Sequence, residues 1–379
     1  MVDKDKILII GGYGTVGSIV SRQLALQYPS KIIVGGRNKD KAQMLIEQNG
    51  LNAKAIYLDV EKERLKEVDF NEIHTAVSCI ETMNISFILE CLQFNINYTE
   101  VGASFKAHKR FFELSDYIDN ADCLVIPSVG LVPGLSNILA FNGAKQFAEI
   151  DEIHTYVILG LGESHGVDSV RWMLEKANSS FKIKTKKGSV GVKGFTHPRS
   201  TRLLNEQRER TFYLFDFSDH HAIPLLVDTK AIDTRIGFDS KVITYLFYLF
   251  QKIGVLKWFK NISPKRFKKV LDFIRIGSER FGLQIEINGK DSLGMQYSIK
   301  YLATGENEAL ATATATSYAS ELMYLNKTQK GLKHIEEVCD LDELKGYLEK
   351  HNVKILNTSD YENDTVQPSG KPGTYGTTS

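Results

Sequence analysis

A glycine-rich segment near the start of the chain has the residue spacing that binds phosphate. The residues GGYGTVG follow the apolar run Lys6–Ile10 and open an amphipathic helical pattern, so that Gly12, Gly14 and Gly17 form G-x-G-x-x-G. In such a segment the first glycine permits a tight turn, the second admits a pyrophosphate to the backbone, and the third lets the helix lie close to the strand. The segment predicts a dinucleotide site, and an unliganded glycine-rich turn is the alternative interpretation. The residues expected to line the site also include Tyr13, Thr15 and Val16.

The end of the second predicted strand indicates which dinucleotide is bound. About twenty residues past the glycines, an acidic side chain would bind the 2′-hydroxyl of NAD. The chain instead reads Gly35, Gly36, Arg37 and Asn38, without a carboxylate. Because the guanidinium of Arg37 suits a 2′-phosphate, the sequence predicts NADP, with NAD as a possible second cofactor. The alternative is that Arg37 is a solvated residue at a turn.

The elements that would position these residues alternate between strand and helix patterns from residue 6 to residue 127. The predicted strands are KILII, KIIVGG, AKAIYLD, HTAVSCI, NYTEV and CLVIP, and the predicted helices span residues 15–28, 39–48, 83–94 and 105–119. This alternation is typical of a parallel sheet with crossover helices. We therefore expect an α/β protein whose residues 1–149 form a doubly wound Rossmann domain.

Beyond residue 133 the pattern indicates a second, α+β domain, expected over residues 150–304. The segments TYVILGLG, RTFYLFDF, LQIEING and GMQYSIKYLA predict a mostly antiparallel sheet. A helix rich in small residues is predicted over 306–325, within a helical C-terminal segment, 305–356, that returns toward the first domain. Residues 357–379 are rich in Ser, Thr, Gly and Pro, and predict a disordered tail.

The composition excludes several classes of protein. Lys and Arg total 47 against 46 for Asp and Glu, so no overall charge attracts nucleic acid. The four cysteines form no C-x-x-C pair, which indicates neither a zinc site nor a disulfide framework. The N-terminus lacks a signal-peptide pattern, so we expect a cytoplasmic protein. The apolar stretch 242–259 is interrupted by Gln251, Lys252 and Lys257, and predicts no transmembrane segment.

Several segments, in the right order, resemble the saccharopine dehydrogenase family. They are GGYGTVG, GRNKDKAQML, YLDV, IPSVGLVPGLSNILA and the later segment GLKHIEEVCDLDELKGYLEKHNV. The resemblance implies an NAD(P)-dependent oxidoreductase that transfers a hydride to or from the C–N bond of an amino-acid-derived amine or imine. It also implies a proline-glycine segment that leads into the helix joining two domains. We recognise no signature of a particular substrate between residues 160 and 305.

Ligands of a doubly wound sheet lie beyond the carboxyl ends of its strands, which selects further candidates for the cofactor site. After the fourth strand, the family's loop passes beside the ribose and nicotinamide, although Cys79 there could equally be a small buried hydrophobe. The proline-glycine segment after the sixth strand would shape the loop at which nicotinamide and substrate meet. The further cofactor-binding candidates are Asp59, Ser78, Cys79, Ile80, Gly130 and Pro133.

Three side chains are candidates for proton transfer. Glu100 matches an acidic residue that the family carries two positions after a tyrosine, and a carboxylate there could orient an amine or relay a proton. His165 and His220 follow strands of the second domain, and histidine titrates near neutral pH. Each of the three could instead be structural. The segment DFSDHH, 216–221, could also suggest a metal, but no complementary ligand cluster supports one, so no metal is expected.

Two other functions stay open from the sequence. The chain could be a non-catalytic NADP-binding redox regulator, because a fold and a fingerprint establish binding rather than chemistry. It could also be a membrane-associated reductase of an apolar substrate, since basic residues between 260 and 269 follow the amphipathic stretch 242–259. We favour a helix packed in a dimer interface or over the substrate cleft for that stretch. The expected partners are a small amino-acid-derived substrate and a second copy of the chain.

Overall fold

The computed structural model describes residues 4–62, 67–81, 83–162, 167–255, 277–325 and 329–358. In these ranges the strands are β1 (Lys6–Ile10), β2 (Ile32–Gly36), β3 (Ala53–Tyr57), β4 (Ile73–Ser78), β5 (Asn97–Glu100), β6 (Leu124–Ile126), β7 (Glu149–Leu159), β8 (Ser180–Thr185), β9 (Gly188–Lys193), β10 (Arg199–Thr201), β11 (Arg210–Leu214), β12 (Ala231–Phe238), β13 (Arg280–Lys290), β14 (Gln296–Glu306), β15 (Gly331–Leu332) and β16 (Lys354–Asn357). The helices are α1 (Thr15–Gln27), α2 (Lys39–Gln48), α3 (Ser86–Gln93), α4 (Phe105–Glu113), α5 (Ser115–Asp119), α6 (Ser136–Ala144), α7 (Val167–Ala177), α8 (Asp219–Ala222), α9 (Lys241–Lys252), α10 (Glu308–Leu325), α11 (Ile335–Val338) and α12 (Leu341–Glu349). None of the described helices is long and apolar enough to cross a membrane.

The first sheet is parallel and has the strand order β15-β6-β5-β4-β1-β2-β3. The order reverses between β1 and β4, which is the point at which doubly wound sheets bind ligands. The predicted doubly wound Rossmann fold and its six strands are confirmed. The edge strand β15 was not predicted, because two residues are too short to show a pattern.

Both faces of this sheet are covered, as the apolar strand sequences predict. Ile7 and Ile9 of β1 face the helix α1, where they pack in one cluster with Val20 and Leu24. Leu8 of β1 points to the opposite face and packs in a second cluster with side chains of α3 and α4. The alternation of β1 side chains between two cores explains why every residue of the strand after Lys6 is hydrophobic.

The second sheet is mixed and mostly antiparallel, with the order β10-β11-β12-β7-β13-β14-β16 and the hairpin β8-β9 attached to β12. Its one parallel pair among the described strands is β7 with β12. The α+β class is confirmed, but β12 was not predicted, because Asp233 and Arg235 interrupt its apolar pattern. The C-terminal segment also contains β16, which the expectation of a purely helical segment missed.

The helix α10 carries the chain from the second sheet back to the first domain, as the sequence predicts. Its Ala313 lies in the same cluster as Val20 and Leu24 of α1. The side-chain amide of Gln23 donates a hydrogen bond to Thr314 Oγ1 at 3.0 Å. The small residues of α10 therefore permit a close helix contact.

The helix α9 has one buried and one exposed apolar face. Phe247 is buried against the second core, whereas Val242, Tyr245 and Leu246 are 68%, 54% and 40% exposed. Residues 256–276, which include the rest of the predicted amphipathic stretch and its basic continuation, lie outside the described residues. The role of this stretch therefore stays a prediction.

Candidate functional site

The loop between β1 and α1 has the backbone geometry of an anion site. Gly11 adopts a φ of +70°, and the N–H of Gly14 donates to the carbonyl of Gly11 at 2.9 Å. Gly14 is the N-cap of α1, no side chain of the described residues caps this end, and the first turn carries no acidic residue. The N–H groups and the positive end of the helix dipole are therefore available to a phosphate.

The three glycines of the fingerprint are required for different reasons. A Cβ on Gly17 would lie 2.2 Å from the carbonyl oxygen of Gly11, so this position must be glycine for helix and loop to meet. A Cβ on Gly12 would lie 2.9 Å from both Ser21 Oγ and a methyl of Val34. A Cβ on Gly14 would meet only Gly11 O, at 3.1 Å, and is otherwise surrounded by space. Gly14 thus borders an open cradle, which fits a bound pyrophosphate.

Residues at the end of β2 lie against this loop through Tyr13. The phenolic oxygen of Tyr13 accepts a hydrogen bond from the backbone N–H of Asn38 at 2.9 Å. A Cβ on Gly36 would lie 2.4 Å from a ring carbon of Tyr13, which explains the glycine there. The side chain of Asn38 caps α2 by accepting from Lys41 N–H at 3.0 Å, so the turn is capped by Asn38 and not by Arg37.

Arg37 and Asp59 lie at the carboxyl ends of β2 and β3. Arg37 is exposed, and among the described residues it has no carboxylate partner, so its guanidinium is available to a ligand. Asp59 turns to its own loop, where it accepts from Glu61 N–H at 3.3 Å and lies 3.8 Å from Lys62 Nζ. The geometry favours Arg37 over Asp59 as a group that contacts a ligand.

The loop after β4 lies directly beside the phosphate loop. The N–H of Cys79 donates to Ile10 O at 2.9 Å, and Ser78 Oγ donates to Ile80 O at 2.8 Å. A Cβ on Gly11 would lie 2.7 Å from the Cγ2 methyl of Ile80, so this side chain lies over the loop. Burial raises the pKa of the Cys79 thiol to about 12, which makes it an unreactive, neutral group.

Glu100 is a fully buried carboxylate that is held by one oxygen only. Its Oε2 accepts from Tyr98 Oη at 3.0 Å and forms an ion pair with the guanidinium of Arg110. Its Oε1 has no partner among the described residues. Burial raises the pKa of Glu100 to about 8 and outweighs the attraction of Arg110. The group can therefore bind and release a proton near neutral pH.

The unpartnered oxygen of Glu100 lies next to Gly102, close to two other polar groups. A Cβ on Gly102 would lie 3.3 Å from Glu100 Oε1, 3.4 Å from Glu81 Oε2 and 3.8 Å from Ser128 Oγ. Glu81 is fixed there because its carboxylate accepts from the N–H groups of Ala103 and Ser104, each at 3.0 Å. Groups that follow β4, β5 and β6 therefore converge at one point of the sheet edge.

His108 is a site residue that the sequence reasoning missed. Its Nδ1 lies 2.9 Å from Ser128 Oγ, and Ser128 holds an unusual φ of +60°. Burial lowers the pKa of His108 to about 4, so the imidazole is neutral. Phe105, His108 and Phe112 share one face of α4, and that spacing is the signal that could have identified this face.

The loop after β6 is built mainly from buried backbone. Gly130 carries a carbonyl that accepts from Leu135 N–H at 2.8 Å, and a Cβ on Gly130 would lie 3.4 Å from a methyl of Thr312 in α10. Gly134 has a φ of +121°, a conformation that other residues rarely adopt, and Pro133 beside it is buried. These residues fix the path of the chain next to Ser128.

His221 of the second domain contacts α4 of the first, whereas the predicted His220 is enclosed within the second domain. The ring of His221 stacks on Phe105 of α4 with centroids 4.8 Å apart. His220 is buried, lies against Phe181 at 5.4 Å, and has a pKa that burial lowers to about 3. Its neutral, enclosed ring does not suit proton exchange with a substrate at Glu100. His165 lies outside the described residues.

Asp216 and Lys176 lie beside these histidines. Lys176 Nζ donates to Asp216 Oδ2 at 2.5 Å, and Asp216 Oδ1 lies 3.4 Å from His221 Nε2. One ligand atom each from Asp216, His220 and His221 lies within 4.8 Å of the other two.

Comparison with solved structures shows that the chain has the fold of a saccharopine dehydrogenase. Apo saccharopine dehydrogenase (L-Glu forming) from Saccharomyces cerevisiae matches with a TM-score of 0.66 at 13% identity, over 93% of this chain and 100% of that one. A meso-dapdh mutant with DAP from Clostridium tetani matches at 14% identity over 90% and 96% of the chains, with a TM-score of 0.46. GenD2 from gentamicin A biosynthesis, in complex with NAD, has a TM-score of 0.37 at 11% identity over 81% and 73%. At these identities the likeness to the yeast enzyme shows the fold, and the two lower scores support no argument. No family model and no curated protein matches the sequence.

Proposed function

We propose that the protein is an NAD(P)-dependent oxidoreductase that acts on the C–N bond of an amino-acid-derived amine or imine. The observation that carries this proposal is the buried, unpartnered Oε1 of Glu100, which lies beside Gly102 near Glu81 and Ser128. Glu100 ends β5 at the carboxyl edge of the parallel sheet, and the neighbouring loop after β4 contacts the loop that would hold the pyrophosphate. Amine oxidation or imine reduction by a nicotinamide moves a hydride at carbon and one proton at nitrogen, and a proton-exchanging carboxylate next to the nicotinamide suits the proton step.

The cofactor proposal depends on the β1–α1 loop and on Arg37. The cradle at Gly14 and the uncapped end of α1 suit the pyrophosphate. The exposed guanidinium of Arg37 at the end of β2 would suit a 2′-phosphate, and we therefore infer a preference for NADP. Ser78, Ile80 and the loop at Gly130 would flank the ribose and the nicotinamide.

The cofactor, when bound, exchanges a hydride with the carbon of the C–N bond. The protein must hold that carbon in place and manage one proton on nitrogen. Reduction of an imine needs a proton donor, and Glu100 supplies its Oε1 proton to nitrogen while Arg110 and Tyr98 stabilise the carboxylate that forms. Oxidation of the amine uses the same group in reverse as a base.

A substrate panel with stereospecifically deuterated NADPH tests the proposal. We expect deuterium at the carbon attached to nitrogen when carbonyl compounds are offered together with amino acids. Transfer of deuterium only to alcohols or alkenes would contradict the reaction class. Binding of NADPH without turnover of any compound would instead favour the redox regulator.

A further inference from the structure

A second cluster of ionisable side chains lies outside the proposed proton-transfer site. Asp216 follows β11, and His220 and His221 lie on the short helix α8. We propose that Asp216, His220 and His221 together bind one divalent transition-metal ion, with Zn²⁺ as the best fit. Two imidazoles and one carboxylate form a donor set that borderline cations prefer. The sequence alone does not predict this site, because no ligand cluster elsewhere complements the segment.

Two of the three distances between the ligand atoms are close to those around a single ion. Asp216 Oδ1 lies 3.4 Å from His221 Nε2 and 3.8 Å from His220 Nε2. Ligands bound tetrahedrally to Zn²⁺ with bonds of about 2.0–2.1 Å lie about 3.3–3.5 Å apart. The first distance therefore already fits, and the second requires a side-chain shift of a few tenths of an ångström. The third, between the ligand nitrogens of His220 and His221, lies within 4.8 Å and must shorten to about 3.5 Å when the ion binds.

His220 supplies an independent indication of a ligand. Both of its ring nitrogens are buried, and neither has a hydrogen-bond partner among the described residues. An imidazole that is enclosed without a partner loses its hydration and gains nothing in return. A metal ion at Nε2 would satisfy this nitrogen.

Asp219 lies near Nδ1 of His220, the ring nitrogen that would not bind the ion. Its Oδ1 accepts from Thr234 Oγ1 at 2.8 Å and lies 3.9 Å from His220 Nδ1. Metal-bound histidines usually donate their second ring N–H to a carboxylate or carbonyl, which orients the ring and raises its basicity. At 3.9 Å the pair does not form this hydrogen bond, and a shift of about 1 Å would be needed to form it.

Lys176 is the main competitor of the ion. Its ammonium pairs with Asp216 Oδ2, which leaves Oδ1 toward the histidines but neutralises the charge of the carboxylate. A lysine that lies this close weakens the attraction for a second cation. If the cluster is a metal site, removal of Lys176 should therefore strengthen metal binding. If it is a plain ion pair, the wild-type protein should bind no metal there.

The position of the cluster places the ion at the contact between the two domains. The His221 ring stacks on Phe105, and Phe105 in turn stacks on His108 with centroids 6.0 Å apart. Three protein ligands leave at least one coordination position for water or for an oxygen or nitrogen of a substrate. An ion bound there would act as a Lewis acid, which the proposed hydride transfer itself does not require.

Untagged full-length protein, stripped with a chelator, is titrated with Zn²⁺ in a calorimeter and with Co²⁺ in an absorption experiment. We expect one ion per chain and Co²⁺ bands without thiolate charge transfer, since the ligands are nitrogen and oxygen. Asp216→Asn and His221→Gln should each weaken binding by at least about tenfold. Lys176→Met should strengthen it, whereas His351→Gln, at a histidine near Gln23, should leave it unchanged.

The outcomes separate the two interpretations. Stoichiometric binding that His221→Gln weakens and Lys176→Met strengthens supports the site. His221 is partly exposed, so His221→Gln remains a valid test even when Asp216→Asn fails to fold. Absence of stoichiometric binding, or equal affinities in wild type and His221→Gln, overturns the proposal. Neither result depends on the oxidoreductase activity, because the titration measures binding of the metal alone.

Discussion

The phenolic oxygen of Tyr13 accepts a hydrogen bond from the backbone N–H of Asn38 at 2.9 Å, which joins the phosphate loop to the end of β2. The contact places Arg37, one residue earlier in the chain, at the margin of the proposed cofactor cradle. The guanidinium is exposed, so it can form a charged hydrogen bond with a 2′-phosphate without losing an existing ion pair among the described residues.

We predict that wild-type protein binds NADPH more tightly than NADH and that Arg37→Asp reverses this preference. The expected change is about 1.5–3 kcal/mol, the value of a hydrogen bond to a charged group. Fluorescence titration with both cofactors measures it. Lys39→Ala is the matched control, because Lys39 is an exposed cation nearby that already pairs with Glu67 at 3.0 Å. Equal affinities of the wild type for the two cofactors would contradict the prediction.

Gly14, the N-cap of α1, and Gly17, in its first turn, should respond differently to an added side chain. Gly14→Val should abolish cofactor binding and leave the melting temperature nearly unchanged, because a Cβ there meets only Gly11 O at 3.1 Å. Gly17→Ala should lower stability by about 1–3 kcal/mol even without cofactor, because its Cβ would lie 2.2 Å from a backbone oxygen. Thermal unfolding and cofactor titration of both variants distinguish the effects. Normal NADPH binding by Gly14→Val would show that the cradle is misplaced.

Local patterns in the sequence predicted the first domain and its phosphate loop. The strand β1 and the helix α1 are adjacent in the chain, and their hydrophobic spacing and glycines are visible in one short segment. The strand β12 escaped prediction because Asp233 and Arg235 interrupt its pattern. In the structure, Arg235 Nε donates to Asp233 Oδ1 at 2.8 Å, and His154 of β7 lies 3.2 Å from the same carboxylate oxygen. Asp233 and Arg235 pair within β12, but the contact with His154 that also supports them comes from another strand and cannot be recognised from β12 alone.

The sequence predicted residues of the candidate site only where they lie at the end of a predicted strand or directly after it. Glu100 was identified in this way, but its partner Arg110 and the pair of His108 with Ser128 were not. These contacts join helix α4 to the ends of β5 and β6, and they depend on how the helix lies over the sheet. The contact of His221 with Phe105 depends on how the two domains pack, which no local pattern encodes.

Stability should depend on pH through Glu336, which lies on α11 and is 4% exposed. Its Oε1 accepts from Asn137 Nδ2 at 3.2 Å, and burial raises its pKa from 4.5 to about 7. Because the folded pKa exceeds the unfolded one, the protonated group stabilises the fold fully below about pH 4.5, and this contribution is lost as pH rises through 7.

Glu336→Gln should therefore raise the free energy of unfolding at pH 8 by on the order of 2 kcal/mol and have little effect at pH 4. Urea denaturation at both pH values measures the difference. Glu337→Gln controls for helix effects, since Glu337 is the next residue and its carboxylate accepts from His334 N–H at 2.7 Å. A gain of equal size at both pH values would show that ionisation of Glu336 is not its cause.

Glu100→Gln should lower kcat for imine reduction by at least about tenfold with little change in NADPH affinity, because proton transfer by a positioned group contributes about 10²- to 10⁴-fold. The pKa of Glu100 is raised to about 8, so the acid is protonated below pH 8 and wild-type kcat should fall as pH rises above that value. The variant should lose this dependence. Glu47→Gln, at an exposed position on α2, controls for charge. Glutamine can still accept hydrogen bonds from Tyr98 and Arg110, so a fall in kcat without a change in NADPH affinity reports loss of the proton. An unchanged rate and pH profile would show that another group transfers the proton.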